Sequence, residues 1–117
     1  RVDDMIISGG ENVYPREVED VLYEHPGILD VAVIGQPDDK WGESVIAFVV
    51  AKDPNLSSEE LDLFCKNSDK LANYKRPRNY IFSDSMPRNA SGKIQKYILR
   101  KRLEEEIAQN KSSSTTL

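Results

Sequence analysis

One cysteine and one histidine occur among the 117 residues, and each scarcity closes off a class of protein. Cys65 by itself forms no intrachain disulfide, and with His25 as the sole imidazole the chain lacks the usual Cys and His set for zinc, so no metal site is expected. No apolar run approaches the roughly 18 residues that a membrane helix needs, and the N-terminus has no basic segment followed by an apolar one. A cytoplasmic protein with no membrane span is the expectation. Without a secretory signal, the sequon matches at Asn55, Asn89 and Asn110 are set aside as coincidental. The first residue is Arg1 rather than methionine, and polar RVDD runs straight into MIIS, which reads as a piece of a longer protein.

What is present suits a globular domain: 38% of residues are apolar and 31% charged. The net charge of −4 hides an asymmetry, since residues 1–60 sum to −10 and residues 61–117 to +6. A basic half attracts polyanions such as nucleotides, coenzymes or nucleic acid.

Periodicity predicts the elements. MIIS and NVY flank GGE, a short hairpin turning on Gly9 and Gly10, where positive backbone dihedrals cost glycine little. Pro15 opens a helix with Val18, Val21 and Leu22 on one face, ending at about residue 25. ILDVAVIG (28–35) and SVIAFVVA (44–51) are β-branched runs bounded by turn residues, hence strands paired antiparallel through QPDDKWGE, the second of them central. Ser57 and Glu60 form a capping box ahead of Leu61, Phe64 and Cys65 at helical spacing. NYIF (79–82) is a third strand. A last helix over about 94–108 carries Ile94, Ile98, Leu99, Leu103 and Ile107. The class expected is α+β: a small antiparallel sheet plus a short N-terminal hairpin, flanked by about three helices, as one domain over 1–109 with a disordered tail over 110–117.

Lys93 directly follows Gly92 in PRNASGKIQK, which invites comparison with the phosphate-binding loop GxxxxGK[ST]. The comparison fails twice, because Pro87 stands where the first glycine is required and Ile94 where the Ser or Thr is. SGGEN lacks the spaced glycines of a dinucleotide-binding turn, and there is no GxSxG elbow.

Taken in order, RVDDMIISGGENVYPREVE, then WGE, then NYKRPR, then MPRNASGKIQKYILR resemble the C-terminal domain of the acyl- and aryl-CoA synthetases of the adenylate-forming ligase superfamily. GGENVYP is most similar to the fatty-acyl, chlorobenzoate and succinylbenzoate CoA ligases. The resemblance covers residues 1 to about 105. It implies an enzyme that joins a carboxylate to the α-phosphate of Mg-ATP and then transfers the acyl group to CoA. The small C-terminal domain would alternate between two orientations, while the absent N-terminal domain, its partner, would bind most of the ATP and magnesium and the carboxylic acid.

The same resemblance implies roles for individual residues. Lys93 is the adenylation lysine, a cation suited to two approaching anions. Asp3 is the hinge, and Arg1 just before it contacts the nucleotide. Gly9 and Gly10 line the pantetheine path, with Glu11 and Asn12 contacting its amides. Tyr74, Lys75, Arg76 and Arg78 offer a ring and cations to the CoA nucleotide, and Trp41 lies near it. In "RNAS" the chain departs from a Thr or Ser pattern, with the glycine and lysine intact. His25 reads as a helix-end residue and Cys65 as a small buried hydrophobe. An alternative is a stand-alone basic module gripping nucleic acid through Lys75, Arg76, Arg78, Arg88, Lys93, Lys96, Arg100, Lys101 and Arg102. The acidic first half and the few rings beside those cations argue against it.

Overall fold

A computed structural model describes the backbone of residues 5–115 and the side chains of residues 5–106. Arg1, the expected hinge Asp3 and the side chain of Ile107 lie outside the described residues. The chain divides into two compact units, Arg1–Met86 and Pro87–Leu117, where one unit reaching about residue 109 is expected.

The first unit is built on β1 (Ile6–Ser8), β2 (Glu11–Val13), α1 (Pro15–Tyr23), β3 (Ile28–Asp38), β4 (Gly42–Ala51), α2 (Ser58–Asn67) and β5 (Asn79–Phe82). The sheet runs β2-β1-β4-β3, and β5 also pairs with β4. The β1–β2, β1–β4 and β3–β4 pairs are antiparallel. β5 lies parallel to β4 from Ile46↔Asn79 to Val49↔Phe82, so a sheet expected to be antiparallel carries one parallel pair. β4 is central, as its apolar run predicts. Alternate β4 residues Val45, Ala47 and Val49 join Ile6, Val13, Val18, Leu22, Val31, Val33, Leu61 and Cys65 in one core cluster. Residues of the opposite parity, Ile46 and Phe48, are buried as well, which explains why β4 reads as nearly continuous apolar sequence.

The β3–β4 hairpin is longer than expected. Pro37 and Asp38 stay in register opposite Glu43 and Gly42, which shortens the turn to Asp39, Lys40 and Trp41. Asp38 Oδ1 accepts from the backbone N–H of Lys40 and of Trp41, its Oδ2 accepts from the Ser44 hydroxyl, and Gly42 takes a φ of +83°. A three-residue loop closed by a left-handed glycine is a favoured hairpin connection. Among the described residues β3 pairs only with β4 along the sheet, and Pro37 is tolerated on such an edge strand.

Half of the expected capping box forms. Ser57 Oγ accepts from Glu60 N–H at 3.2 Å, but the Glu60 carboxylate is 2.9 Å from His25 Nε2. His25 is therefore more than a helix-end residue. It is buried, its Nδ1 accepts from Gly27 N–H, and its ring packs edge-on against Phe64 with centroids 5.0 Å apart.

The second unit opens with a tight turn closed by an antiparallel bridge, Arg88↔Ile94, so α3 starts at Lys96 rather than 94 and runs to Thr115, past the expected end near 108. Neither glycine nor proline follows Gly92, so nothing in the composition forces an earlier stop. Leu99 and Leu103 of α3 are buried.

Candidate functional site

In the first unit the glycine turn and Trp41 meet. Gly9 and Gly10 have φ of +60° and +82°, so the turn uses the left-handed freedom expected of it. Gly9 N–H donates to Trp41 O at 2.8 Å. A methyl group at Gly9 would stand 3.1 Å from Trp41 Cε3, so a side chain there would require the ring to give way. Around Gly10 there is open space, and what it supplies is the backbone angle. Glu11 and Asn12 follow on β2, both exposed. The hairpin is anchored from β4, where Glu43 Oε1 accepts from Ile7 N–H at 2.9 Å.

Trp41 also organises cations. The Arg78 guanidinium carbon lies 4.1 Å from the ring centroid and Lys40 Nζ lies 5.3 Å from it, both within cation–π range. Trp41, with Gly9 and Arg78 against it, is thus a three-residue focus drawn from segments 32 and 37 residues apart in sequence.

The NYKRPR segment separates into two groups. Lys75 Nζ donates to Glu17 Oε1 at 2.7 Å, and that bond raises the lysine's pKa. Arg76 Nη1 donates to Asp62 Oδ2 at 2.7 Å, while its buried Nε meets no partner. These two cations are held by internal carboxylates. Arg78 and Tyr74 are exposed, and the Lys75 ammonium lies 5.6 Å from the Tyr74 ring. Tyr74, Arg76 and Arg78 line an open cleft of about 470 Å³ whose floor includes Asp62 and Tyr80. The Tyr80 hydroxyl faces Asp62 and Cys65. Burial pushes both the phenol and the thiol upward in pKa, so each stays protonated and unreactive near neutrality.

In the second unit Lys93 sits in the turn between Arg88 and Ile94, its side chain exposed. The turn is built rather than slack. Asn89 N–H donates to Lys93 O at 3.0 Å, Gly92 N–H donates to Asn89 O at 2.9 Å, and Gln95 N–H donates to Pro87 O at 2.8 Å. Gly92 adopts a φ of +86°.

A family model for the AMP-binding enzyme C-terminal domain matches residues 17–93, an interval that holds Trp41, the NYKRPR segment and Lys93. The chain belongs to this family. Among AMP-binding C-terminal domains of curated proteins, it is 52% identical over 103 residues to the putative acyl-CoA synthetase YngI of Bacillus subtilis (strain 168), covering 87% of this chain and 18% of that protein. It is 47% identical over 115 residues to the 4-chlorobenzoate–CoA ligase of Pseudomonas sp. (strain CBS-3), covering 97% and 21%. The solved Mycobacterium tuberculosis fatty acyl CoA synthetase superposes with a TM-score of 0.82 at 50% identity, over 87% of this chain and 20% of that one. The chain therefore spans about a fifth of the length of these relatives.

In this AMP-binding C-terminal domain, several positions that shape the candidate site were not singled out from sequence. Asp38, Glu43 and Asn89 carry no chemistry of their own but hold the turns that present Trp41, the glycines and Lys93. Asp38 and Asn89 were readable as turn residues whose side chains bond their own backbone two residues on. Glu43 was not, since its partner Ile7 is 36 residues away. Among the described residues no group of three or more His, Cys, Asp or Glu could hold a metal ion, and no helix is long and apolar enough to cross a membrane.

Proposed function

We propose that this chain is the C-terminal domain of an AMP-forming acid–CoA ligase, acting with an N-terminal domain that binds ATP and the carboxylic acid. In the first step a carboxylate oxygen attacks the α-phosphorus of ATP and the bond to pyrophosphate breaks, giving an acyl-adenylate. In the second the CoA sulfur, having lost its proton, attacks the acyl carbon and AMP leaves. The observation that carries this reading is the family match over 17–93, with relatives about 50% identical that are named as acid–CoA ligases and synthetases.

Lys93 serves the first step. Its ammonium reduces the repulsion between the carboxylate and the α-phosphate and stabilises charge gathering in the transition state. Its exposure leaves the charge available for substrate. Arg1 contacts the nucleotide. The ion that accompanies ATP is assigned to the N-terminal domain together with most of the nucleotide.

The second step uses the first unit. Gly9 and Gly10 keep side chains out of the pantetheine path, with Glu11 and Asn12 beside its amides. Trp41 and Arg78 present a flat face and a cation to the CoA nucleotide, with Tyr74 as a second ring. Lys75 and Arg76 hold the segment in place through Glu17 and Asp62. Asp3 is the hinge at which backbone angles change between the steps.

Two half-reactions of the full-length enzyme test this. Lys93→Ala is expected to lower ATP–pyrophosphate exchange by about 10² or more while a supplied acyl-adenylate still yields thioester. Asp3→Pro is expected to slow the thioester step more than exchange. Normal exchange in the lysine variant, or equal slowing of both steps in the proline variant, would remove the corresponding assignment.

A further inference from the structure

Asn89 gathers several hydrogen bonds on one short exposed segment. Its Oδ1 accepts from Ser91 N–H at 3.1 Å, from Ser91 Oγ–H at 2.8 Å and from Lys93 N–H at 3.0 Å. Its backbone N–H donates to Lys93 O, and its carbonyl accepts from Gly92 N–H. Both backbone polar groups of Lys93 are therefore bonded to a single residue. The Arg88↔Ile94 bridge and the Gln95-to-Pro87 bond close the turn behind them, and Arg88 Nη1 donates to Gly92 O.

We infer that Asn89 is the positioning residue for Lys93: its side-chain oxygen fixes the backbone from which the ammonium projects, and so sets the rate of adenylation without touching substrate. This rests on the reading of Lys93 given above. The four carbon–carbon torsions of a lysine side chain already give its ammonium a wide reach, and an unfixed backbone would add displacement of the Cα and of the direction from which the chain projects. Electrostatic stabilisation requires donors already in place when charge develops, and a misplacement of about 1 Å can cost 10²-fold in rate. Asparagine fits because its carbonyl oxygen gathers several N–H donors in such turns. The site is exposed, so water can satisfy those donors once the side chain is removed. Stability is then little affected while placement is lost, and that separates a positioning role from a merely structural one.

The test measures both half-reactions of the full-length enzyme for Asn89→Ala, Asn89→Asp and Lys93→Ala. The expected result is a 10- to 100-fold fall in kcat for pyrophosphate exchange in Asn89→Ala, with little change in KM for ATP and an unchanged thioester step. Asn89→Asp, which keeps the accepting oxygen, is expected to restore exchange to within a few-fold of wild type. If Lys93→Ala stops exchange while Asn89→Ala proceeds at the wild-type rate, the positioning role is overturned and the role of Lys93 stands. If Asn89→Ala slows both half-reactions equally and Asn89→Asp rescues neither, the residue is structural and the inference fails. If Lys93→Ala exchanges normally, the reading of Lys93 falls and this inference with it.

Discussion

Gly9 combines two constraints that usually occur apart. Its φ of +60° costs a residue with a Cβ roughly 1 kcal/mol, and any Cβ there would press on the Trp41 ring at 3.1 Å. Gly9→Ala is therefore expected to destabilise the chain by about 1–2 kcal/mol, seen as a lower urea midpoint with an unchanged slope. In the full-length enzyme it should slow thioester formation more than adenylation. An unshifted midpoint would show that the hairpin relaxes away from the ring at no cost. The need for glycine was legible from the doubled GG between two short apolar runs. That Trp41 is what the first glycine faces was not, because the ring reaches it only through the β1–β4 pairing at Ser8↔Gly42.

At the scale of elements, the β3–β4 turn shows how one carboxylate extends two strands. The Asp38 carboxyl is held below the usual carboxylate range first by the Ser44 hydroxyl, then by the N–H groups of Trp41 and Lys40. A carboxyl whose folded pKa is lowered adds stability that is complete above its unfolded value, ordinarily near 3.9, and lost as pH falls through the lowered one. Asp38→Ala should thus lower Tm at neutral pH, and the gap between variant and wild type should close as pH drops below about 4. Thermal melts across pH 2.5–7 check this, and a gap that stays constant would mean that the carboxylate charge is irrelevant to the turn. The strands themselves were legible from β-branched runs, and NYIF spans β5 as expected. Their true ends were not, because Pro37 and Asp38 resemble loop in composition, and a local hydrogen-bond cluster keeps them in register. The capping box was half legible for a related reason. Ser57 caps α2 through local geometry, whereas Glu60 finds His25 across 35 residues.

For the whole molecule, the charge asymmetry that hinted at a polyanion partner is partly absorbed inside the fold. Lys75 is neutralised by Glu17 and Arg76 by Asp62, with side chains 18% and 27% exposed. Removing two cations from the NYKRPR cluster weakens any sequence-blind grip on nucleic acid, while Arg78 stays exposed over the Trp41 ring. The chain is accordingly expected to leave random oligonucleotides unshifted in native gels even at low salt. A shift that weakens steeply with added salt would favour the basic-module reading instead.

The amino-acid sequence by itself determined the α+β class, the order of the elements, the glycine turns and the position of Lys93 after a glycine, because each of these follows from local spacing and backbone preference. Family membership was legible as well, from the order of four short motifs. Only the tertiary structure decided which cations are paired and which are exposed, that Trp41 meets both Gly9 and Arg78, that β5 runs parallel to β4, and that the segment carrying Lys93 is a closed turn bonded to Asn89. The long-range members of that group depend on what the sheet brings together across tens of residues. In the Asn89 turn the side chain lies within hydrogen-bond reach of several donors, and the folded backbone selects among them.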